Sequence, residues 1–184
     1  SNPRPLLLIE EVAVETMRRV GANGAHMKAV FSQNGAAIDA IGFGLGPLCE
    51  EIAPGACVSA VGELSVNEWN GLAKPQLSLC DVAVSSCQVF DVRGCRDVHP
   101  LIERMPKEKR LLVLFRRETE NQLDLAAFRD ELHYVASDEE AGALAIDGRY
   151  VVLLDLPPKL RRLAVLLGNG QPERIYAVFA QPEA

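Results

Sequence analysis

Trp69 is the only tryptophan of this chain, and the residues around it are the ones whose types and spacing could do chemistry. Asn67, Asn70 and Gln76 offer amides and Lys74 an ammonium. With an indole among them, this set could stack a nucleobase, meet its edge and hold a phosphate. The same residues have a plainer reading. A tryptophan can cap the open end of a barrel, with Asn67, Asn70 and Gly71 present only for turn geometry. Asn67 and Gln76 would also serve to tie a loop to a sheet through backbone hydrogen bonds. On the residues alone both readings stand.

His26 and Lys28 form a second candidate pair, two positions apart on one face of a predicted strand. Lys28 suits a phosphate, and a solvated strand face explains the pair equally well. Elsewhere the chemistry thins out. The three histidines (26, 99 and 133) are scattered, without zinc-site spacing. Asp97-Val98-His99 reads as a helix start. Gly168-Asn169-Gly170 follows a helix rather than opening one, so it is no phosphate loop. Asp155 falls at the C-terminal end of a predicted strand, where α/β sheets place ligands, but no partner converges on it. Arg116-Arg117 and Arg161-Arg162 read as solubilising surface doublets. No catalytic residue and no metal ligand is assigned, and no cofactor is expected for this chain itself.

The elements that must position these residues follow from periodicity. Leu6 to Val14 is apolar-rich and predicts a first strand. Met27, Ala29 and Phe31 alternate with His26, Lys28 and Val30 in a second, and Asn34-Gly35 predicts a tight hairpin into a third over Ala36 to Phe43. Gly44 to Ile52 reads as a short helix stopped by Pro54-Gly55. Val58, Ala60, Gly62, Leu64 and Val66 alternate with more polar neighbours in a long fourth strand, and Pro75 to Val84 predicts a fifth. Five strands with one helix between the third and fourth is the order of an OB-fold, a five-stranded Greek-key barrel. Its ligand face is the strand 2–3 surface with the loops joining strands 1–2 and 4–5, so the Trp69 segment occupies the 4–5 connection. Phe43, flanked by Gly42 and Gly44, is read as a barrel plug rather than a stacking platform.

After Val84 the pattern changes. Short β runs at Val89–Val92, Arg110–Phe115, Tyr150–Leu154 and Arg174–Phe179 alternate with helical spacing at Val98–Met105, Leu123–Leu132 and Lys159–Leu167. Ser137 is an N-cap followed by acids in the first turn. These signs predict an α/β domain with a mainly parallel sheet, giving an all-β domain over 5–86 and an α/β domain over 87–184.

The totals narrow the function classes. The formal net charge is −6, divided as −4 up to Ser86 (5 Lys/Arg against 9 Asp/Glu) and −2 beyond it (14 against 16). Strong nonspecific nucleic-acid binding relies on phosphate neutralisation, so any such contact must be local. Five cysteines (49, 57, 80, 87 and 95) form no CxxC pair, and no signal sequence is apparent, which predicts free thiols in a reducing cytoplasm. No apolar run approaches the ~20 residues of a membrane span.

The series Val20-Gly21-Ala22-Asn23-Gly24-Ala25-His26-Met27-Lys28, Ile38-Asp39-Ala40-Ile41-Gly42-Phe43 and Leu64-Ser65-Val66-Asn67-Glu68-Trp69-Asn70-Gly71, with Pro75-Gln76-Leu77, resembles the OB domain of the RecJ family of single-stranded-DNA-specific exonucleases. The stretch from Phe90-Asp91-Val92-Arg93-Gly94 to Arg174-Ile175-Tyr176-Ala177-Val178-Phe179 is similar to the extra C-terminal domain of the longer members. The resemblance implies 5′→3′ degradation of single-stranded DNA in recombination and repair. It further implies divalent metal (manganese or magnesium) in a DHH-type core, which this chain lacks and which is expected upstream of Ser1. Where the family loop carries basic residues after Asn-Gly, this chain has Leu72-Ala73 and keeps only Lys74. The implied partners are single-stranded DNA, the catalytic domains of the same protein, and replication or repair proteins. The alternative is a protein-interaction and architectural module with little DNA contact.

Overall fold

A computed structural model describes residues 4–180, which divide into two compact units with the boundary between Gln88 and Val89. In the first unit, β1 (Leu6–Val20), β2 (His26–Gln33), β3 (Ala36–Gly42), β4 (Cys57–Trp69) and β5 (Leu72–Val84) form the barrel, with a one-turn helix α1 (Leu48–Glu51) between β3 and β4. The strands close in the order β1-β2-β3-β5-β4. β3 and β5 run parallel and the other pairs antiparallel, which is the OB topology.

Period-2 alternation turns one set of side chains inward. Met27, Ala29 and Phe31 from β2, Ala40 from β3, Val58 and Ala60 from β4, and Leu77 and Leu79 from β5 fill the barrel with Val12 and Val14. His26, Lys28 and Val30 therefore face outward. Asn34 and Gly35 both take positive φ (51° and 82°), as a two-residue hairpin turn requires.

β1 runs six residues past the predicted end at Val14. Its register shifts twice, between Ile9 and Val12 and between Val14 and Thr16. Each bulge breaks the alternation that sequence reading depends on. The helix expected over Gly44–Ile52 shrinks to the four residues of α1. At Gly62, where the β4–β5 register also shifts, a Cβ would collide with the Ser78 carbonyl oxygen, so only glycine lets the two strands approach here.

The second unit is an α/β layer structure. It contains β6 (Gln88–Asp91), α2 (His99–Arg104), β7 (Arg110–Leu114), α3 (Glu118–Gln122), β8 (Leu132–Tyr134), α4 (Asp138–Ala143), β9 (Tyr150–Asp155), α5 (Leu160–Gly168) and β10 (Arg174–Ala180). The sheet order is β6-β10-β9-β7-β8, with β10, β9, β7 and β8 mutually parallel. Both sheet faces are covered. Leu112, Leu114, Val152 and Leu154 pack with Ile102, Leu125 and Phe128 on one side, and Leu111, Val113, Val151 and Leu153 pack with Ala141 and Leu166 on the other. That is why these strands read as continuous apolar runs. The helix expected over Leu123–Leu132 is replaced. α3 ends at Gln122, Asp124 takes a left-handed conformation (φ 50°), and Leu125–Glu131 winds as a 3₁₀ turn. Leu125 and Phe128 still share one buried side, because residues three apart eclipse in that geometry. Ser137 caps α4, accepting from the Glu140 N–H at 3.1 Å. Among the described residues no helix is long and apolar enough to cross a membrane.

Candidate nucleic-acid interface

β4 and β5 continue past the end of the barrel as a two-stranded arm. Their pairing runs unbroken from Gly62–Leu79 out to Trp69–Leu72, and Asn70 and Gly71, both at positive φ (51° and 76°), close it. The connection expected to be a loop is thus a tight hairpin, and Trp69 is the last residue of a strand. Register decides which side chains share a face. Ser65 lies opposite Gln76, Asn67 opposite Lys74 and Trp69 opposite Leu72, while Leu64 and Val66 continue the inward set of β4 beyond the barrel and are exposed.

The arm's Trp69 face meets the outward face of the barrel. Asp39 of β3 pairs in register with Gln76, and Lys28 projects from β2 beyond β3. Together Lys28, Asp39, Asn67, Trp69, Leu72, Lys74, Pro75 and Gln76 line an open cleft of about 410 Å³, within the ~300–1,000 Å³ range of ordinary ligand sites. Trp69 is 76% exposed, so it caps nothing. Among the described residues the side chains of Lys28, Asn67, Lys74 and Gln76 have no protein partner, so Asn67 and Gln76 do not tie the arm to the sheet. The cleft therefore offers an aromatic face, two free amides and two free ammonium groups, opposed by one carboxylate, Asp39.

Five of the seven expected residues converge here: Lys28, Asn67, Trp69, Lys74 and Gln76. Two do not. Asn70 sits at the tip of the turn, where its positive φ is its structural duty. His26 is engaged elsewhere: its Nδ1 accepts the Gly44 N–H at 3.0 Å, and its ring meets Phe43 edge-on at 5.2 Å between centroids. Phe43 is no plug, being 68% exposed; the positive φ of Gly44 (76°) carries the chain away before the ring can turn inward. Sequence reading missed Asp39, Leu72 and Pro75 as part of the cleft, because only the β3–β5 register brings Asp39 beside Gln76.

In the second unit Asp155 is fully buried and engaged on every side. Its carboxylate accepts from Phe115 N at 2.8 Å, Arg116 N at 3.0 Å and Thr119 Oγ1 at 2.6 Å. Arg116, far from being a surface residue, lies 3.5 Å from this carboxylate and donates to Ala180 O at 2.8 Å. The His99 backbone N–H donates to Asp97 Oδ1 at 3.0 Å, and the His99 Nε2 lies 2.8 Å from Asp124 O, as a helix start rather than a ligand pair. Among the described residues no three His, Cys, Asp or Glu gather where they could hold a metal ion, and the five cysteines are unpaired.

A five-stranded barrel with an aromatic-lined cleft between its β2–β3 face and the β4–β5 arm belongs to the class of oligonucleotide-binding folds. Residues 1–81 match the family described as the RecJ OB domain, and residues 88–184 match the one described as the C-terminal domain of single-strand DNA-specific exonuclease. The chain belongs to the RecJ family and corresponds to its C-terminal region. It is 42% identical over 182 residues to the single-stranded-DNA-specific exonuclease RecJ of Bacillus subtilis (strain 168), an alignment covering 99% of this chain and 23% of that protein. The chain thus spans about a quarter of the length of the curated relative it matches. Among solved structures, the mitochondrial single-stranded DNA binding protein Rim1 of S. cerevisiae is 17% identical, with 45% of this chain and 96% of that one covered and a TM-score of 0.37. The aspartyl-tRNA synthetase of Entamoeba histolytica is 12% identical, with 44% and 18% covered and a TM-score of 0.37.

Proposed function

We propose that the barrel holds single-stranded DNA in the Trp69 cleft as the accessory domain of a 5′→3′ exonuclease acting in DNA recombination and repair, and that phosphodiester cleavage is carried out in the part of a RecJ-length protein outside this chain. Divalent metal, manganese or magnesium, belongs to that cleaving part. The observation that carries this reading is the cleft itself, an exposed indole ringed by amides and ammonium groups that no internal contact requires. Bases stack on the indole whatever their identity, Asn67 and Gln76 meet base edges, and Lys28 and Lys74 take phosphates. With only two cations in the cleft and a net charge of −6 on the chain, binding is weak and salt-sensitive.

Trp69, as the only tryptophan, provides the test. Titrating the 184-residue chain with oligothymidylate at low salt quenches its emission. In anisotropy with a labelled strand, Trp69→Ala costs about 1–3 kcal/mol of binding. No quench at the lowest salt, together with equal anisotropy curves for the variant and the wild type, defeats the reading.

The second reading, an architectural or protein-interaction role, is favoured for residues 88–184 by the internal engagement of Asp155 and Arg116. A replication or repair protein captured by the intact chain and lost on deleting those residues supports it; unchanged recruitment after the deletion counts against it.

A further inference from the structure

Residues 1–88 contain five Lys/Arg, namely Arg4, Arg18, Arg19, Lys28 and Lys74. Arg19 pairs with Glu50 at 2.6 Å. Three of the others, Arg18, Lys28 and Lys74, lie on the outward face of the sheet formed by β1, β2, β3 and β5. Arg18 of β1 stands directly opposite Lys28 of β2 in the antiparallel register, so the two side chains share a face about 5 Å apart at Cβ. Both are exposed, and neither has a carboxylate partner among the described residues. Like charges directly opposite each other destabilise a sheet, and the unit holds nine carboxylates that could have relieved them. An uncompensated cation pair beside a cleft has no structural use.

Building on the cleft reading above, we infer that Arg18 is a third phosphate contact, and that the polynucleotide leaves the cleft across β2 onto β1. The path starts at Trp69, passes Lys74, crosses β3 at Asp39 and reaches Lys28 and then Arg18. Lys74 sits two residues beyond Gln76, the partner of Asp39, whereas Lys28 pairs with Ile41, two residues further the other way. The track is therefore diagonal. Three inter-strand steps and about four residues of axial offset give about 20 Å of surface, roughly the reach of six stacked nucleotides at a rise of about 3.4 Å. Asp39 lies on this diagonal between the cations and repels phosphate, which turns the backbone toward the lysines and leaves the carboxylate facing N–H donors of the unpaired bases.

The length dependence tests this path. Arg18→Gln in the 184-residue chain is compared with the wild type on decathymidylate and on trithymidylate, read by Trp69 quenching over a salt series. The decamer should lose roughly three- to fivefold in affinity at low salt, and its log–log salt slope should fall by about 0.7, the value of one single-strand phosphate contact. The trimer, held at Trp69 and too short to reach β1, should be unaffected, and Arg18→Lys should restore the slope. An unchanged decamer slope overturns the path while leaving the cleft reading intact, provided Trp69→Ala still weakens the anisotropy-detected binding of a labelled strand. An equal loss on both lengths overturns it as well, since Arg18 would then act only through the general field. A wild type that quenches with neither strand removes the cleft reading and this path together.

Discussion

The two units treat their polar groups in opposite ways. In an open parallel sheet the ligand crevice lies beyond the carboxyl ends of the strands, where the strand order reverses. In the second unit that point falls between β7 and β9, at Phe115, Arg116 and Asp155. There the carboxylate is filled by two backbone N–H groups and the Thr119 hydroxyl, and the guanidinium donates to the Ala180 carbonyl while its buried Nε, without a hydrogen bond, lies 3.5 Å from Asp155. In the barrel, Lys28, Asn67, Lys74 and Gln76 face a cleft, and their side chains have no partner among the described residues. Buried charge is costly unless paired, so a fully satisfied carboxylate is first of all a structural part. Polar groups left free around an exposed indole cost the fold little and remain available to a ligand. Position in the topology points to the α/β crevice, whereas hydrogen-bond satisfaction points to the barrel.

The strongest way to break this contrast is Asp155→Ala. It strands two backbone N–H groups and a hydroxyl and removes the counter-charge of Arg116, a loss of about 3–5 kcal/mol. We expect amide exchange to accelerate throughout Leu111–Leu114 and Val151–Leu154, with Asp155→Asn only a partial rescue. Full retention of amide protection would mean that the carboxylate is not a structural part, and would return the crevice to the list of sites.

That contrast also marks what was readable in the residues. Core alternation in β2 and the apolar runs of β7 and β9 report burial directly, so the barrel order and the α/β class were legible. The convergence of Trp69 with Asn67, Lys74 and Gln76 was legible too, because all four belong to one hairpin. The role of Asp39, the engagement of His26 with Gly44 and the turning-in of Arg116 were not. Each depends on pairing between segments far apart in the chain, and a one-residue slip in register would have sent every side chain to the other face. The bulges in β1 concealed its length for the same reason, and the left-handed Asp124 concealed the break after α3.

A smaller effect sharpens the contrast through pH. Glu131 receives both arms of the Arg110 guanidinium, at 2.6 and 2.7 Å, and those hydrogen bonds hold its carboxyl below the usual carboxylate range. A depressed carboxylate contributes stability that is complete above its unfolded pKa, about 4.3, and disappears as pH falls through the lower folded value. Glu131→Gln should therefore cost about 1–2 kcal/mol at pH 7, after allowing for solvent screening. The gap to the wild type should close in denaturant titrations taken well below pH 4. Lys74→Gln, removing a cation with no partner, should change stability at neither pH. If it destabilises as much as Glu131→Gln, the cleft lysine has a structural duty and the contrast weakens.

The smallest effect concerns His26, which faces the same solvent as Lys28 yet stands outside the cleft. Its Nδ1 serves the Gly44 N–H, and His26→Asn keeps an acceptor close to that position. Binding of a labelled single strand should then change by less than about 0.5 kcal/mol, the usual range for a surface substitution away from a site. Lys28→Gln, by contrast, should weaken that binding measurably, because it removes a cation from the cleft. A loss in His26→Asn as large as that in Lys28→Gln would extend the phosphate track onto the Phe43 side of β2.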